Sequence, residues 1–211
     1  MISIKLAALL VVLASFLVSA YFYPLLPDEI ASHWDASGNV NGYMPKLLGL
    51  FLVPLVTLAL VAIFLVIPKI DPLKQNIKKF RGNFDSFVLL LVLFMLYIQV
   101  LTILWNIEIK VGITQALAPA FGLLFYYSGV LIEKSKRNYF IGIRTPWTLS
   151  SDRVWDKTAK VGGRLFKISG IIMLLGVFLP SYTIFLVIVP AILSSAYAFV
   201  YSYVEFNKKR R

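Results

Sequence analysis

The sequence predicts an all-α, polytopic integral membrane protein with six transmembrane helices and both termini in the cytoplasm. Three observations carry that reading. Apolar residues make up 59% of the 211-residue chain and charged residues only 15%, against about 45–50% and about 25% in soluble domains. Five long windows contain no charged residue at all. Lysine and arginine gather in alternate connections between those windows. A mean hydropathy of +0.82 agrees. Such a chain lacks the polar surface to cover a water-soluble globule, which excludes a soluble enzyme, and it is too apolar for disorder. The absence of cysteine excludes disulfides, thiolate metal sites, iron–sulfur clusters and cysteine nucleophiles.

The windows are 6–27, 47–68, 86–107, 111–132 and 168–204. A charge at the bilayer centre costs roughly 2.5–3.5 kcal/mol on insertion scales, so each window is a candidate span. The last is too long for one helix and is interrupted by Pro180-Ser181-Tyr182, a turn signal. It is expected to form two short helices, which brings the total to six. At the start, Lys5, an apolar stretch and Val18-Ser19-Ala20 have the outline of a signal peptide. The stretch is long for that role and further spans follow, so an uncleaved first helix is expected. Two inverted triplets of spans would be another organisation. The unequal connection lengths favour six spans without repetition.

Orientation follows from the basic residues. With the N-terminus inside, all of the 21 Lys and Arg except Lys46 and Lys110 fall on the inner side, Lys208, Lys209, Arg210 and Arg211 among them. That asymmetry explains the net charge of +11 without nucleic acid. Trp34 and Trp105 fall near the outer interface, Trp147 and Trp155 near the inner one, as amphipathic rings prefer. Three units are expected within one membrane domain. Residues 1–70 form a two-helix unit with an extracellular loop, 23–46. Residues 71–133 hold an amphipathic linker helix and spans three and four. Residues 134–211 hold a cytoplasmic loop and spans five and six.

In the linker, Asp71 and Pro72 have the form of a helix N-terminus. Leu73, Ile77 and Phe80 share one face opposite the lysines, as in a helix lying on the anionic inner leaflet. In the cytoplasmic loop, Ser150 or Ser151 can cap a helix with apolar positions Val154, Val161, Leu165 and Ile168. That helix can run into the fifth span, with Gly162-Gly163 as a soft point.

Catalytic signals are sparse. His33 is the single histidine, so a two-histidine zinc-protease helix is impossible, and neither a nucleophile elbow nor a phosphate-binding glycine loop is present. His33 and Asp35 form a weak candidate for an ion site; no cofactor is expected and the metal assignment is none. No charged residue lies mid-span; Gln99, Thr102, Gln115 and Ser128 are neutral. That disfavours an ion-coupled pump. Pro54, Pro119 and Pro190 are read as tolerated helix prolines rather than breaks. Arg144 with Asp152, Arg153 and Asp156 offers a surface for a cytoplasmic partner or a lipid head group.

Two loop motifs resemble a known family. The inner loop has Asn138, Gly142, Arg144, Thr145, Pro146, Trp147, Thr148 and Leu149, then Trp155 and Thr158. It is similar to the signature of the SdpI-type immunity family of six-span bacterial membrane proteins. The outer loop has Tyr23-Pro24, Leu26-Pro27-Asp28, His33-Trp34, Gly38, Gly42-Tyr43 and Lys46. It resembles the short uncharacterised domain that often precedes that signature. Three positions depart from the pattern: Ala31 where proline is expected, Asp35 where asparagine is frequent, and Ala159 where a histidine often follows the threonine.

The resemblance implies binding rather than catalysis. It implies a plasma-membrane protein that shields the cell from a secreted, membrane-active toxin of the sporulation-delay peptide type. The outer-loop residues Asp28, His33, Trp34, Asp35 and Tyr43 would then be the contact surface. The family is also described as signalling, by holding a cytoplasmic repressor at the membrane, with the inner loop as its dock. A passive transporter or lipid-handling protein is a further alternative. Membrane lipids are expected partners and nucleic acid is not.

Overall fold

A computed structural model describes residues 4–208. Of the expected inner basic tail, Lys209, Arg210 and Arg211 lie outside the described residues. The order is α1 (Ile4–Phe22), β1 (Glu29–Trp34), β2 (Val40–Pro45), α2 (Lys46–Ile70), α3 (Lys74–Lys78), α4 (Arg81–Asn106), α5 (Ile113–Lys134), α6 (Pro146–Leu149), α7 (Asp152–Leu174) and α8 (Thr183–Asn207).

Among the described residues, five helical stretches are long and apolar enough to cross a membrane: Ile4–Leu25, Lys46–Ile70, Arg81–Asn106, Ile113–Lys134 and Pro180–Asn207. Helix α7 differs. The fifth span expected from residue 168 is the far end of a helix that begins in the basic connection and carries Arg153, Lys157, Lys160, Arg164 and Lys167. It runs unbroken through Gly162-Gly163, which are buried packing positions and not a soft point. The turn after it is where the sequence put it: short 3-10 segments at Leu175–Val177 and Pro180–Tyr182 lead into α8. Pro54, Pro119 and Pro190 sit inside continuous helices.

The helices pack as two triplets, α1–α2–α4 and α5–α7–α8, joined along α4 and α5. In the first triplet Gln99 is buried and clamps α4 to α1. Its Nε2 donates to Ser19 Oγ at 2.7 Å and to the Ser15 carbonyl at 3.0 Å, and its Oε1 accepts from Ser15 Oγ. Ser19 Oγ in turn donates to the Leu50 carbonyl of α2 at 2.6 Å. In the second triplet α5 and α7 meet at glycines. A Cβ at Gly163 would lie 2.7 Å from the Gly129 carbonyl oxygen, and one at Gly170 2.5 Å from the Gly122 carbonyl oxygen. Small residues let helix backbones approach where lipid removes the hydrophobic drive for association. The packed face of α7 is therefore Val154, Trp155, Thr158, Ala159, Gly162, Gly163 and Gly170. Of the apolar positions expected to pack, Val154 is buried but Ile168 is exposed.

The region between α1 and α2 is not a plain loop. It is a two-stranded antiparallel hairpin, an addition to the expected all-α architecture, with Glu29 opposite Pro45 and Ala31 opposite Tyr43. Its turn is closed by Asp35 N–H to Asn39 O at 2.9 Å, with Gly38 at φ +84°. Ile30 anchors it in a buried cluster with Leu26, Leu50 and Ile103. Asn106, at the end of α4, brackets Ala31, accepting from its N–H at 2.8 Å and donating to its carbonyl at 3.0 Å.

The linker helix α3 is one short turn, shorter than the leaflet helix expected. Ile77 and Phe80 are buried in the protein core with Phe84, Leu131 and Ile141 rather than facing lipid. Asp71 does not cap α3; its carboxylate accepts from Leu73 N–H at 2.6 Å and from Tyr139 N–H at 2.9 Å. The linker is thereby tied to the basic loop.

Candidate functional site

Two places combine exposed or special residues, one at each end of the bundle. At the hairpin end a cavity of about 370 Å³ lies beneath β1, between α2, α4, α5 and α8. Its floor is apolar: Leu52 and Val53 of α2, Ile98 and Leu101 of α4, Leu117 and Phe121 of α5, and Ile184 and Val187 of α8. Its polar atoms come from Ser32, His33, Trp34 and Asp35 of the hairpin and from Thr102, Thr114 and Thr183. Trp34 stacks edge-to-face on Trp105, with ring centroids 5.8 Å apart. The Trp34 indole N–H is buried and has no acceptor among the described residues.

The five predicted outer residues do not form one surface. His33, Trp34 and Asp35 line this cavity, whereas Asp28 and Tyr43 do not. Tyr43 is 67% exposed, and Asp28 pairs with Lys46 at 3.0 Å. The candidate ion ligands are engaged elsewhere. His33 Nδ1 hydrogen-bonds the Asn41 side chain. The Asp35 carboxylate accepts from the backbone N–H of Ser37 at 2.8 Å and of Asn39 at 2.9 Å. The Asn39 N–H holds the Asp35 carboxyl below its ordinary range, against a smaller opposing effect of burial, and the Ser37 N–H adds to it. Among the described residues no three His, Asp or Glu converge as a metal site would need.

At the basic end the signature residues serve one another. Asn138 is fully buried; its Nδ2 donates to the carbonyls of Lys136 and Ile141 at 2.8 Å, and its Oδ1 accepts from Phe140 and Ile141 N–H. Gly142 takes φ +106°, with Ser135 and the Trp155 ring against the place a Cβ would occupy. Thr145 and Thr148 form a reciprocal capping box around α6, with Pro146 at its first position. Thr145 Oγ1 also meets Ser202 Oγ of α8 at 3.0 Å. Trp147 packs on Phe199 and Tyr203. Trp155 is not interfacial: it is 1% exposed and donates to the Ser135 carbonyl at 3.2 Å. Thr158 is buried, and its hydroxyl has no partner among the described residues.

Arg144 is exposed and donates to the Tyr139 carbonyl at 2.9 Å. The charges grouped with it in the sequence are already paired. Arg137 binds Asp152 at 2.7 Å, Lys136 binds Asp156 at 2.9 Å, and Arg153 reaches Glu205 at 3.2 Å.

Comparison with known proteins matches these two regions. Residues 134–202 match the model of the SdpI/YfhL protein family, and residues 10–58 match a domain of unknown function, DUF1648. Over that inner segment the chain resembles the SdpI/YfhL family. Its similarity to Immunity protein SdpI of Bacillus subtilis (strain 168) is 28% identity over 203 residues, covering 95% of each chain. No solved structure matches. With these likenesses, the apolar helices identify a multi-pass cell-membrane protein.

The three departures from the family pattern have visible settings. Ala31 is the residue bracketed by Asn106 through its N–H, a bond that proline could not make. Asp35 closes the hairpin turn. Ala159 is buried beside Trp155 and Ile132. Residues the sequence reading missed are Asn106, Ser202 and Glu205, polar groups near span ends, and Asp71 it assigned to a cap rather than to the tie with Tyr139. Glu205 is buried and bonded to Lys157 at 2.6 Å. Their signal was polarity at the edge of an apolar window, which is also what an unremarkable span boundary looks like.

Proposed function

We propose that this chain is an immunity protein that protects its cell from a secreted, membrane-active peptide toxin by binding it at the outer face. Likeness to Immunity protein SdpI along nearly the full length of both chains is the observation that carries the reading. The basic residues support an orientation with both termini inside, α7 as the fifth of six crossings, and the hairpin end outside. At that end the open apolar cavity and the tryptophan pair suit an amphipathic ligand. The signature loop, with its buried and mutually bonded residues, acts as a brace for the inner ends of α7 and α8. The role is binding and not catalysis. The test is expression in a toxin-sensitive bacterium challenged with sporulation-delay peptide. Survival and a maintained membrane potential are expected; killing despite confirmed insertion overturns the reading.

A second reading is a signalling receptor that sequesters a cytoplasmic repressor. Tyr139, Phe140 and Arg144 are exposed side by side on the basic loop and favour it. Co-purification of a cytoplasmic protein, lost on Arg144→Ala, would support this role; failure of any to co-purify would count against it.

A further inference from the structure

We infer that the toxin's apolar segment enters the cleft between the two helix triplets, and that the exposed outer face of the hairpin is not the contact. This rests on the immunity reading and goes beyond it by naming the site. Four observations lead there.

The cavity of about 370 Å³ is far larger than the water-sized voids of a packed interior and falls within the roughly 300–1,000 Å³ of ligand sites. A second cavity of about 460 Å³ adjoins it and shares Ala36 and Thr114 in its wall. The outer one is bordered by the hairpin turn, Gln115 and Ser181, whereas the inner floor is aliphatic and aromatic. The pair is therefore polar at the mouth and apolar within, the layering of an amphipathic chain.

Charge selects further. Among the described residues no Lys or Arg lines either cavity, and Asp35 is the only acidic residue in the walls. That suits an apolar segment with a neutral or cationic flank and disfavours an anionic head group. Finally, Trp34 lines the inner cavity and its indole N–H has no acceptor among the described residues. Buried donors are normally satisfied, and a peptide brings backbone carbonyls that can accept.

The absence of cysteine makes the test clean. Single cysteines are placed at Thr114→Cys, in the shared wall, and at Tyr43→Cys, on the exposed hairpin face. Each protein is reconstituted in nanodiscs and labelled with a small maleimide, with and without sporulation-delay peptide. The same variants are scored for protection in cells. The expected result is a tenfold or greater slowing at Thr114→Cys and less than twofold at Tyr43→Cys.

If the variants protect cells but Thr114→Cys labels at one rate with and without peptide, the cleft assignment is overturned while the immunity reading stands. That holds whether lipid fills the cleft or peptide sits elsewhere. Slowing at Tyr43→Cys alone overturns it as well. No protection by the unmodified chain, together with no change in labelling, overturns both. A cleft-filling Leu117→Trp at normal membrane level should raise peptide sensitivity at least tenfold; unchanged protection would overturn the inference.

Discussion

In α1–α2–α4 the helices are joined by a polar side chain reaching across, Gln99 to Ser15 and Ser19. In α5–α7–α8 they are joined by the lack of side chains, at Gly122, Gly129, Gly163 and Gly170. Both devices answer the same difficulty. Lipid is as apolar as leucine, so burying leucine against leucine gains little, and association needs hydrogen bonds or close backbone packing. The difference teaches where tolerance lies. A hydrogen-bond clamp can be loosened by degrees, whereas a glycine contact admits no added atom. The seam between the triplets uses neither device in quantity. Tyr97 Oη donates to the Ala116 carbonyl at 3.0 Å, and the Phe94 and Phe121 rings lie 5.2 Å apart. The cleft opens beside that seam.

The largest expected effect is at the glycines. Gly163→Leu drives a side chain into the α5 backbone and should destabilise by about 3 kcal/mol or more, read as loss of folded protein by thermal unfolding in nanodiscs. Gly82→Ala is the control. Nothing lies within 4 Å of its Cβ position, and it should be neutral or slightly stabilising; a comparable loss there would remove the packing explanation.

Next comes the clamp. Gln99→Leu should cost about 1–2 kcal/mol, the range of hydrogen bonds between membrane helices. Adding Ser15→Ala should recover part of that, because replacing both partners by apolar groups is milder than orphaning one. If the double variant is worse than the sum of the singles, the clamp is not the stabilising unit.

At the basic end, Thr145→Val removes the α6 cap and the contact with Ser202, and should cost about 1 kcal/mol. Proteolysis of the 135–151 loop should then accelerate while α1–α2–α4 is unaffected.

The smallest effect is expected in the hairpin turn. Its Asp35 carboxyl is held below the ordinary range, chiefly by the Asn39 N–H. A lowered folded-state value means that this stabilisation is complete above the usual carboxylate pKa and fades as pH falls through the depressed one. The amide resonances of Ser37 and Asn39 should report the change on acidification, and Asp35→Asn should flatten that response. A transition near neutral pH would contradict the hydrogen-bond assignment.

Most of the helical layout was legible because bilayer thickness and charge exclusion act residue by residue. The 180–182 break and the continuous proline-containing helices followed from the same rules. What was not legible depends on partners distant in sequence. The hairpin has no continuous strand pattern; Ile30 and Asn106 fix it through contacts with α2 and α4. The face of α7 was only partly legible: Val154 is buried, but Ile168 is exposed, and glycines mark much of the packed side. His33, Trp34 and Asp35, which border the cleft, were legible in the outer motif. The cleft they border was not, since its floor is assembled from four helices whose residues look like any membrane span.

Recognition at the hairpin-end cleft, with bracing by the signature loop, is what we propose. Its most direct test is toxin protection by Leu117→Trp and Arg144→Ala in the same sensitive strain at matched membrane levels. Leu117→Trp should lose protection at least tenfold while Arg144→Ala keeps it. Full protection by Leu117→Trp, with loss in Arg144→Ala, would contradict it and move recognition to the basic end.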